Sequence, residues 1–324
     1  MDLFNLGEVT WWESQCFYHA LAHLGREGLI ICYPSSPYVC LGLHDDLEQE
    51  IDREYCERSG IPVFRRETGG GVVYLDNRQI FFQLVMRRDN PRLPLRRHKY
   101  YENFLNPAIS VYQQLGVPAE LKKPADLAAN GKKCSGNACG DIDNGVAYVG
   151  NMLLDFNFEV MSNVLRVPFH KFRDHFKRSM QNNMTTIKDW MNYPVSYNDL
   201  AWRLIKEFKT EWDDLHLTEV DQTLADKAKE LFERYTSEDW LQMPGRKYHD
   251  RRVKIAEGLM LMEKSFGPDC IAVALVREGI VEDMDIYGRR NSVTEFIGRE
   301  WNEDLLAEIS ANPDNRQEEI THAS

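Results

Sequence analysis

Two short segments of this sequence hold residues suited to chemistry on an anion. The first is Arg65-Arg66-Glu67-Thr68-Gly69-Gly70-Gly71-Val72-Val73-Tyr74. Three adjacent glycines let the backbone reach positive φ and approach a ligand closely. Successive N–H groups in such a loop can form a concave anion nest. Arg65 and Arg66 set bidentate donors and fixed positive charge beside it. Together these suit a phosphate or an acyl-phosphate. No Gly-Lys-Ser/Thr follows, so this is not a Walker loop, and the glycines do not have dinucleotide-fingerprint spacing. The competing reading is a tight hairpin with two surface arginines.

The second segment is Asn130-Gly131-Lys132-Lys133-Cys134-Ser135-Gly136-Asn137-Ala138. Apparent strands at 126–130 and 146–158 flank it, which places the lysines at a turn. A lysine aimed into a site neutralises a carboxylate and a phosphate oxygen together. The alternative is an exposed Asn-Gly hairpin with two solvated lysines.

Other elements must position these segments. Residues 12–28 read as a helix, with Phe17, Ala20, Leu21 and Leu24 at helical spacing and Gly25 or Gly28 as its stop. Residues 29–33 and 38–43 read as strands, and 47–59 as an exposed acidic helix ending near Gly60. A strand, the glycine loop and a second strand follow, then a buried strand at QIFFQLVM. Residues 100–115 form a helix stopped by Gly116 and Pro118. Further helices are expected at 168–181, 197–212 and 221–236. After Pro244 the pattern changes to strands at 253–263, 270–277 and 280–287, with Glu278-Gly279 as a hairpin turn and a helix at 291–310. This divides the chain into residues 1–245 and a small C-terminal module, 246–324. The module shows little core of its own, so it is expected to dock on the larger part. Strands and helices do not alternate strictly, which favours an α+β fold over a doubly wound one.

Composition narrows the class. Of 324 residues, 43% are hydrophobic and 28% charged, enough apolar surface to fold rather than remain disordered. A net charge of −12 weighs against general nucleic-acid binding, which needs a basic face. No apolar run approaches the ~18 residues of a membrane span. The first residues lack the basic and apolar regions of a secretory signal, so a cytoplasmic location is expected. Seven cysteines, with no C-x-x-C pair, read as reduced thiols. The histidines form no H-E-x-x-H pattern, so no structural metal is expected.

Taken together, RRxTGGGxVY followed roughly 60 residues later by DLxxNGKKxSGNA resembles the lipoate–protein ligase A family. The match extends through YVGNMLLDFNFEVMSNVLRVP and NNMTTI, and the C-terminal segment is similar to the family's accessory domain. The resemblance implies a biotin/lipoate protein ligase-like mixed-sheet catalytic domain with a small α+β accessory domain. It also implies a reaction. Lipoate and ATP, with Mg2+, give lipoyl-adenylate and pyrophosphate. The lipoyl group then passes to a lysine of a carrier: an H-protein-like protein, a lipoyl domain or a lipoate-binding protein. The two-part architecture is similar to family members of sulfur-oxidising organisms. A carboxylate attacking a phosphate is anion meeting anion, so cations and N–H dipoles must offset the repulsion.

By the resemblance, Arg66, Gly69, Gly70, Gly71, Val72, Val73 and Tyr74 occupy nucleotide-binding positions. Lys133 matches the lysine that bridges the lipoyl carboxyl and the phosphate, and Gly136 and Ala138 follow it in the same motif. Asp126 matches an acidic position associated with the adenylate or its metal. Two motif histidines are replaced, by Leu75 and Val149. Related octanoyltransferases form a thioester on a cysteine, for which Cys16, Cys134 and Cys139 are the candidates here. An octanoyl/lipoyl transferase and a non-catalytic carrier-binding protein are therefore the alternatives. Finally, Arg87, Arg88, Arg92, Arg96, Arg97 and Lys99 fall within thirteen residues, a basic patch suited to receiving an acidic carrier.

Overall fold

The fold is that of a computed structural model, which describes residues 1–94, 98–267, 270–288 and 293–311, with backbone alone at His98 and Tyr100. The chain opens with β1 (Asp2–Val9), α1 (Glu13–His23), β2 (Gly28–Pro34) and β3 (Tyr38–Leu41). Two short helices, α2 (Leu47–Glu50) and α3 (Arg53–Arg58), lead to β4 (Val63–Arg65), β5 (Val73–Leu75) and β6 (Gln79–Arg87). Helix α4 (His98–Gln114) precedes β7 (Ala119–Lys122), β8 (Asp126–Ala129), β9 (Lys132–Ser135), β10 (Asn137–Ile142) and β11 (Gly145–Leu153). Then come α5 (Phe158–Val164), α6 (His170–Asn183), α7 (Tyr197–Glu211), β12 (His216–Leu217), α8 (Gln222–Tyr235) and α9 (Glu238–Leu241). The C-terminal segment holds β13 (Arg252–Ala256), β14 (Leu259–Ser265), β15 (Ile271–Arg277), β16 (Ile280–Tyr287) and α10 (Glu303–Ala311).

A six-stranded sheet runs in the order β10-β11-β6-β2-β1-β12. It is mixed: β1 is parallel to β2 and β12, while β2–β6, β6–β11 and β11–β10 are antiparallel. With small sheets β4-β3-β5 and β7-β8-β9 beside it, the architecture is α+β. Strand β6 is buried on both faces because its apolar residues do not alternate with polar ones. Ile80, Phe82, Leu84 and Met86 join Phe104, Leu105, Leu204 and Phe208 from α4 and α7. Phe81 and Val85 join Phe17 and Leu21 of α1.

The C-terminal strands form an antiparallel meander, β13-β14-β15-β16. One face packs Val253, Ile255, Leu261, Val273 and Leu275 into the same apolar cluster as Val164, Phe169, Phe172 and Phe176 of the α5–α6 region. The buried Arg251–Glu50 ion pair, 2.9 Å, crosses the same boundary. The other face has a core of its own, in which Ala274, Val281 and Met284 meet Phe296, Leu305 and Ile309. The expected lack of a separate core is thus corrected on that face.

Several expected elements differ in extent. Helix α1 stops at His23, with Gly25 at φ +62° just beyond it. The acidic helix is two helices, because the side chains of Asp46 and Asp52 each accept a bond from the first turn that follows them and Ile51 between them is buried. Residues 253–263 are not one strand but a hairpin that turns at Glu257-Gly258, with Gly258 at φ +72°. In place of one helix at 291–310 there are a 3-10 turn at Thr294–Phe296 and α10; residues 291–292 lie outside the described residues. Among the described residues no helix is long and apolar enough to cross a membrane.

Candidate active site

A cavity of about 210 Å³ opens where the small sheets meet the α1-covered face of the large one. Its apolar lining includes Val73 and Leu75 from β5, Phe81 from β6 and Val149 from β11, with the buried amides of Gln15 and Gln83 beside them. Its charged lining residues are Arg66, Asp126, Lys133, Lys254 and Glu257. Gly70, Gly71, Val72, Gly136 and Ala138 also face it.

The two arginines at the head of the glycine loop do different work. Arg65 is fully buried. It donates to the carbonyls of Leu43 and Asp45 at 3.1 and 2.7 Å, and to that of Leu241 at 2.6 Å. It is a strut between the α9 segment and the turn after β3, not a surface arginine beside an anion, which corrects that expectation. Arg66 turns to the cavity, and its guanidinium holds the loop itself. It donates to the carbonyls of Cys40 (3.0 Å), Gly69 (2.9 Å) and Gly71 (2.8 Å). Gly70 sits at φ +94°, a conformation glycine takes at little cost. Gly42 is pressed against it: a Cβ there would lie 2.0 Å from the Gly70 carbonyl oxygen. Nothing in the sequence marks Gly42 beyond its place at the end of a strand.

Gly69 and Tyr74 are not among the cavity-lining residues. Gly69 serves the loop through its carbonyl. Tyr74 lies in β5 between Val73 and Leu75, so strand alternation sends its ring to the opposite side, where it meets Phe156 edge-on at 6.4 Å.

Behind the loop stands His19, which the sequence did not single out. Its Nδ1 lies 2.8 Å from the Gln15 carbonyl oxygen, and its Nε2 accepts the Glu67 N–H at 3.1 Å. Those partners fix a neutral ring with its proton on Nδ1. Burial lowers its pKa to about 4.

Across the cavity, Asn130 and Gly131 both take positive φ, giving a tight two-residue hairpin between β8 and β9. Lys133 is therefore not at the turn but in the strand, with Lys132 exposed and Lys133 facing inward. Its Nζ lies 2.9 Å from Asp126 Oδ1. The other oxygen of Asp126 accepts the backbone N–H of Glu257 at 2.7 Å. The NNMTTI segment runs along the outer edge of β9, where Thr185 N–H donates to the Lys133 carbonyl at 2.8 Å. That bond, with the Lys133–Met184 bridge beside it, pins the strand through its backbone. Asn151, beside the replaced histidine position, accepts the Gly136 N–H at 2.6 Å and donates to Gln79 at 2.6 Å. Leu75 and Val149, the two replacements, both belong to the apolar lining.

The thiols are placed against acyl chemistry. Cys16 and Cys134 are buried and outside the lining, and burial pushes Cys134 up to about 12. Cys139 is also outside the lining, because it alternates with Ala138 along β10. Cys40, not anticipated from the sequence, does line the cavity, but burial raises its pKa too, against the lowering effect of Arg66. A nucleophilic cysteine needs the opposite shift. Among the described residues, no group of three or more His, Cys, Asp or Glu side chains is placed to hold a metal ion. Of the basic patch, Arg87 pairs with Asp89 and Arg92 with Asp214, while Arg96 and Arg97 lie outside the described residues.

The lipoyl protein ligase A/B catalytic domain family matches residues 12–209. The chain belongs to this lipoate–protein ligase family. The lipoate–protein ligase LplJ of Bacillus subtilis is 24% identical over 308 residues, which cover 90% of this chain and 87% of that protein. The LipM octanoyltransferase of Kyrpidia tusciae is 24% identical over 227 residues, 63% of this chain and 82% of its own. Among solved structures, a bi-partite lipoate protein ligase from Thermoplasma acidophilum, described with its E2 lipoyl domain, superposes with a TM-score of 0.66. It is 24% identical, over 76% of this chain and 98% of that one. A lipoate–protein ligase A bound with ATP gives 0.62 at 22% identity, over 74% and 98%. The family match makes the chain a ligase-family enzyme, and the solved structures show the lipoate ligase fold.

Proposed function

We propose that this enzyme is an ATP-dependent lipoate–protein ligase. The observation that carries the reading is one cavity lined both by apolar side chains and by the cations Arg66 and Lys133. An acyl chain fits against Val73, Leu75, Phe81 and Val149, with its carboxylate turned to Lys133. There Lys133 offsets the repulsion between that carboxylate and the α-phosphate of ATP. A carboxylate oxygen bonds to the α-phosphorus, and the bond to the β-phosphate oxygen breaks, releasing pyrophosphate. In the second step a carrier lysine amine attacks the acyl carbonyl. AMP leaves, and the amine loses a proton.

The glycine loop supports nucleotide binding through Gly70, Gly71 and Val72, with Arg66 fixing its shape. Mg2+ in such sites is held by one or two carboxylates together with substrate phosphates. Asp126 and Glu257 are the carboxylates of this cavity and would hold it, lending charge neutralisation to the phosphates. We assign the catalytic domain to residues 1–245 and an accessory domain to residues 246–324, which adds Lys254 and Glu257 to the cavity. The carrier is a lipoyl-domain-like protein, the class named with the Thermoplasma relative.

The octanoyltransferase relatives favour a second reading, acyl transfer through a cysteine thioester. Cys40 is the cavity thiol available for it, and its raised pKa weighs against that role. Incubation with lipoate, Mg-ATP and an apo lipoyl carrier, read by intact mass, separates the two. An ATP-dependent gain of one lipoyl group supports the ligase. A gain from an octanoyl-loaded carrier without ATP overturns it in favour of the transferase.

A further inference from the structure

We propose that Lys254, on the C-terminal sheet, is a nucleotide-binding residue that takes the pyrophosphate end of ATP. The inference rests on the reading of this cavity as an adenylating site. Among the described residues, the cations lining the cavity are Arg66, Lys133 and Lys254. In the adenylating reading the first two already have duties, Arg66 in shaping the loop and Lys133 at the acyl carboxylate and α-phosphate. Arg66 spends its donors on the carbonyls of Cys40, Gly69 and Gly71, and Lys133 is paired with Asp126. A triphosphate brings more negative charge than those two offset.

Lys254 is held where it can supply the difference. The β13–β14 turn is tied to the site by the Glu257 N–H on Asp126, the same carboxylate that receives Lys133. The β13 register shifts between Lys254 and Ala256, and such bulges re-aim a side chain at the edge of a site. Lys254 Nζ contacts Glu257 Oε2 at 2.5 Å, and its side chain is 49% exposed. An ion pair that exposed is weak, so a phosphate group can replace Glu257 as the partner of Lys254. A lysine binds phosphate as a point charge, which suits a leaving group that must depart.

The test uses the full chain and two substitutions, Lys254→Ala and Lys254→Arg. Inorganic pyrophosphate and AMP serve as inhibitors of ATP-dependent pyrophosphate release. For Lys254→Ala the KM for ATP and the Ki for pyrophosphate are expected to rise roughly 10- to 100-fold, the scale of one charge-assisted hydrogen bond. The Ki for AMP and the KM for lipoate stay within about twofold, because this assignment gives Lys254 the β- and γ-phosphates, which AMP and lipoate lack, and Lys254→Arg recovers most of the loss. A Ki for pyrophosphate unchanged in Lys254→Ala, or one that rises in step with that for AMP, overturns the assignment. Failure of the wild-type chain to release pyrophosphate at all overturns the adenylation reading beneath it, a separate result.

Discussion

Between Glu67 and Val72 the chain lies in no strand, with the Thr68 carbonyl accepting the Leu43 N–H, whereas Lys133 lies within the β7-β8-β9 sheet, opposite Ala128. Both segments reach the same cavity. The glycine loop is held largely by side chains that bind its backbone: Arg66 on the carbonyls of Gly69 and Gly71, and His19 on the Glu67 N–H. The lysine hairpin is held by backbone on backbone, with β8 on one edge and Thr185 on the other. In the loop, a functional side chain is also a structural one. In the hairpin the two roles separate, so the two regions should answer mutation differently.

The largest effect is expected at Lys133. Lys133→Ala removes a preorganised cation from developing charge, so pyrophosphate release should fall by ~10²–10³ or more. The β9 backbone bonds remain, and Asp126 keeps the Glu257 N–H, so the protein should still melt cooperatively. Lys132→Ala, on the exposed side of the strand, should be near wild type. A reversal of the two would mean that the strand presents the other face to the substrate. At Arg66 the two losses should come together. A lysine cannot reach three carbonyls at once, so Arg66→Lys should raise the KM for ATP and also cost about 3 kcal/mol of stability through buried carbonyls left unpaired. A stable Arg66→Lys with impaired catalysis would erase the contrast between loop and hairpin.

This contrast explains what the sequence could and could not reveal. Glycines, Lys133 and Asp126 announce their chemistry by type and local spacing, and the structure brings Arg66, Gly71, Asp126 and Lys133 to one cavity. The separate duties of Arg65 and Arg66 were not legible. They depend on Leu241, whose carbonyl Arg65 reaches across 176 positions of chain. The Glu257 N–H on Asp126 was hidden for a similar reason, since a backbone donor has no side-chain signature. The β13–β14 turn was concealed inside an apolar run, where periodicity alone does not mark a break. The break at Ile51 did carry a signal, because Asp46 and Asp52 are both good N-caps.

A finer test compares two neighbours within the loop. Gly70, at φ +94°, would also place a Cβ 3.0 Å from the Arg66 guanidinium. Gly70→Ala should therefore lower stability by about 1–2 kcal/mol and weaken ATP binding. Gly71 lacks a positive φ, and a Cβ there meets nothing within 4 Å. Gly71→Ala should leave the melting temperature unchanged and affect ATP affinity alone. Unchanged affinity in that variant would show that the nucleotide does not approach the loop backbone.

The smallest effect is expected from His19 and appears only in acid. Its ring is neutral in the fold, with Nε2 engaged as an acceptor, and burial holds its pKa at about 4. An unfolded chain protonates histidine near pH 6.5. Between those values the unfolded state binds a proton that the folded state refuses, so stability falls as pH drops from about 6.5 toward 4. Above that window the term vanishes. By pH 5.5 it amounts to about 1 kcal/mol. Protonation would also convert Nε2 into a donor facing the Glu67 N–H, loosening the start of the glycine loop. His19→Gln removes this titration, at the cost of a lower melting temperature at neutral pH from the altered hydrogen bonds. The readout is therefore the slope. Denaturant-measured stability should fall more steeply between pH 7 and pH 5.5 in the wild type than in His19→Gln, while carboxylates common to both contribute equally. Parallel curves would mean that another group, not His19, ties the loop to α1.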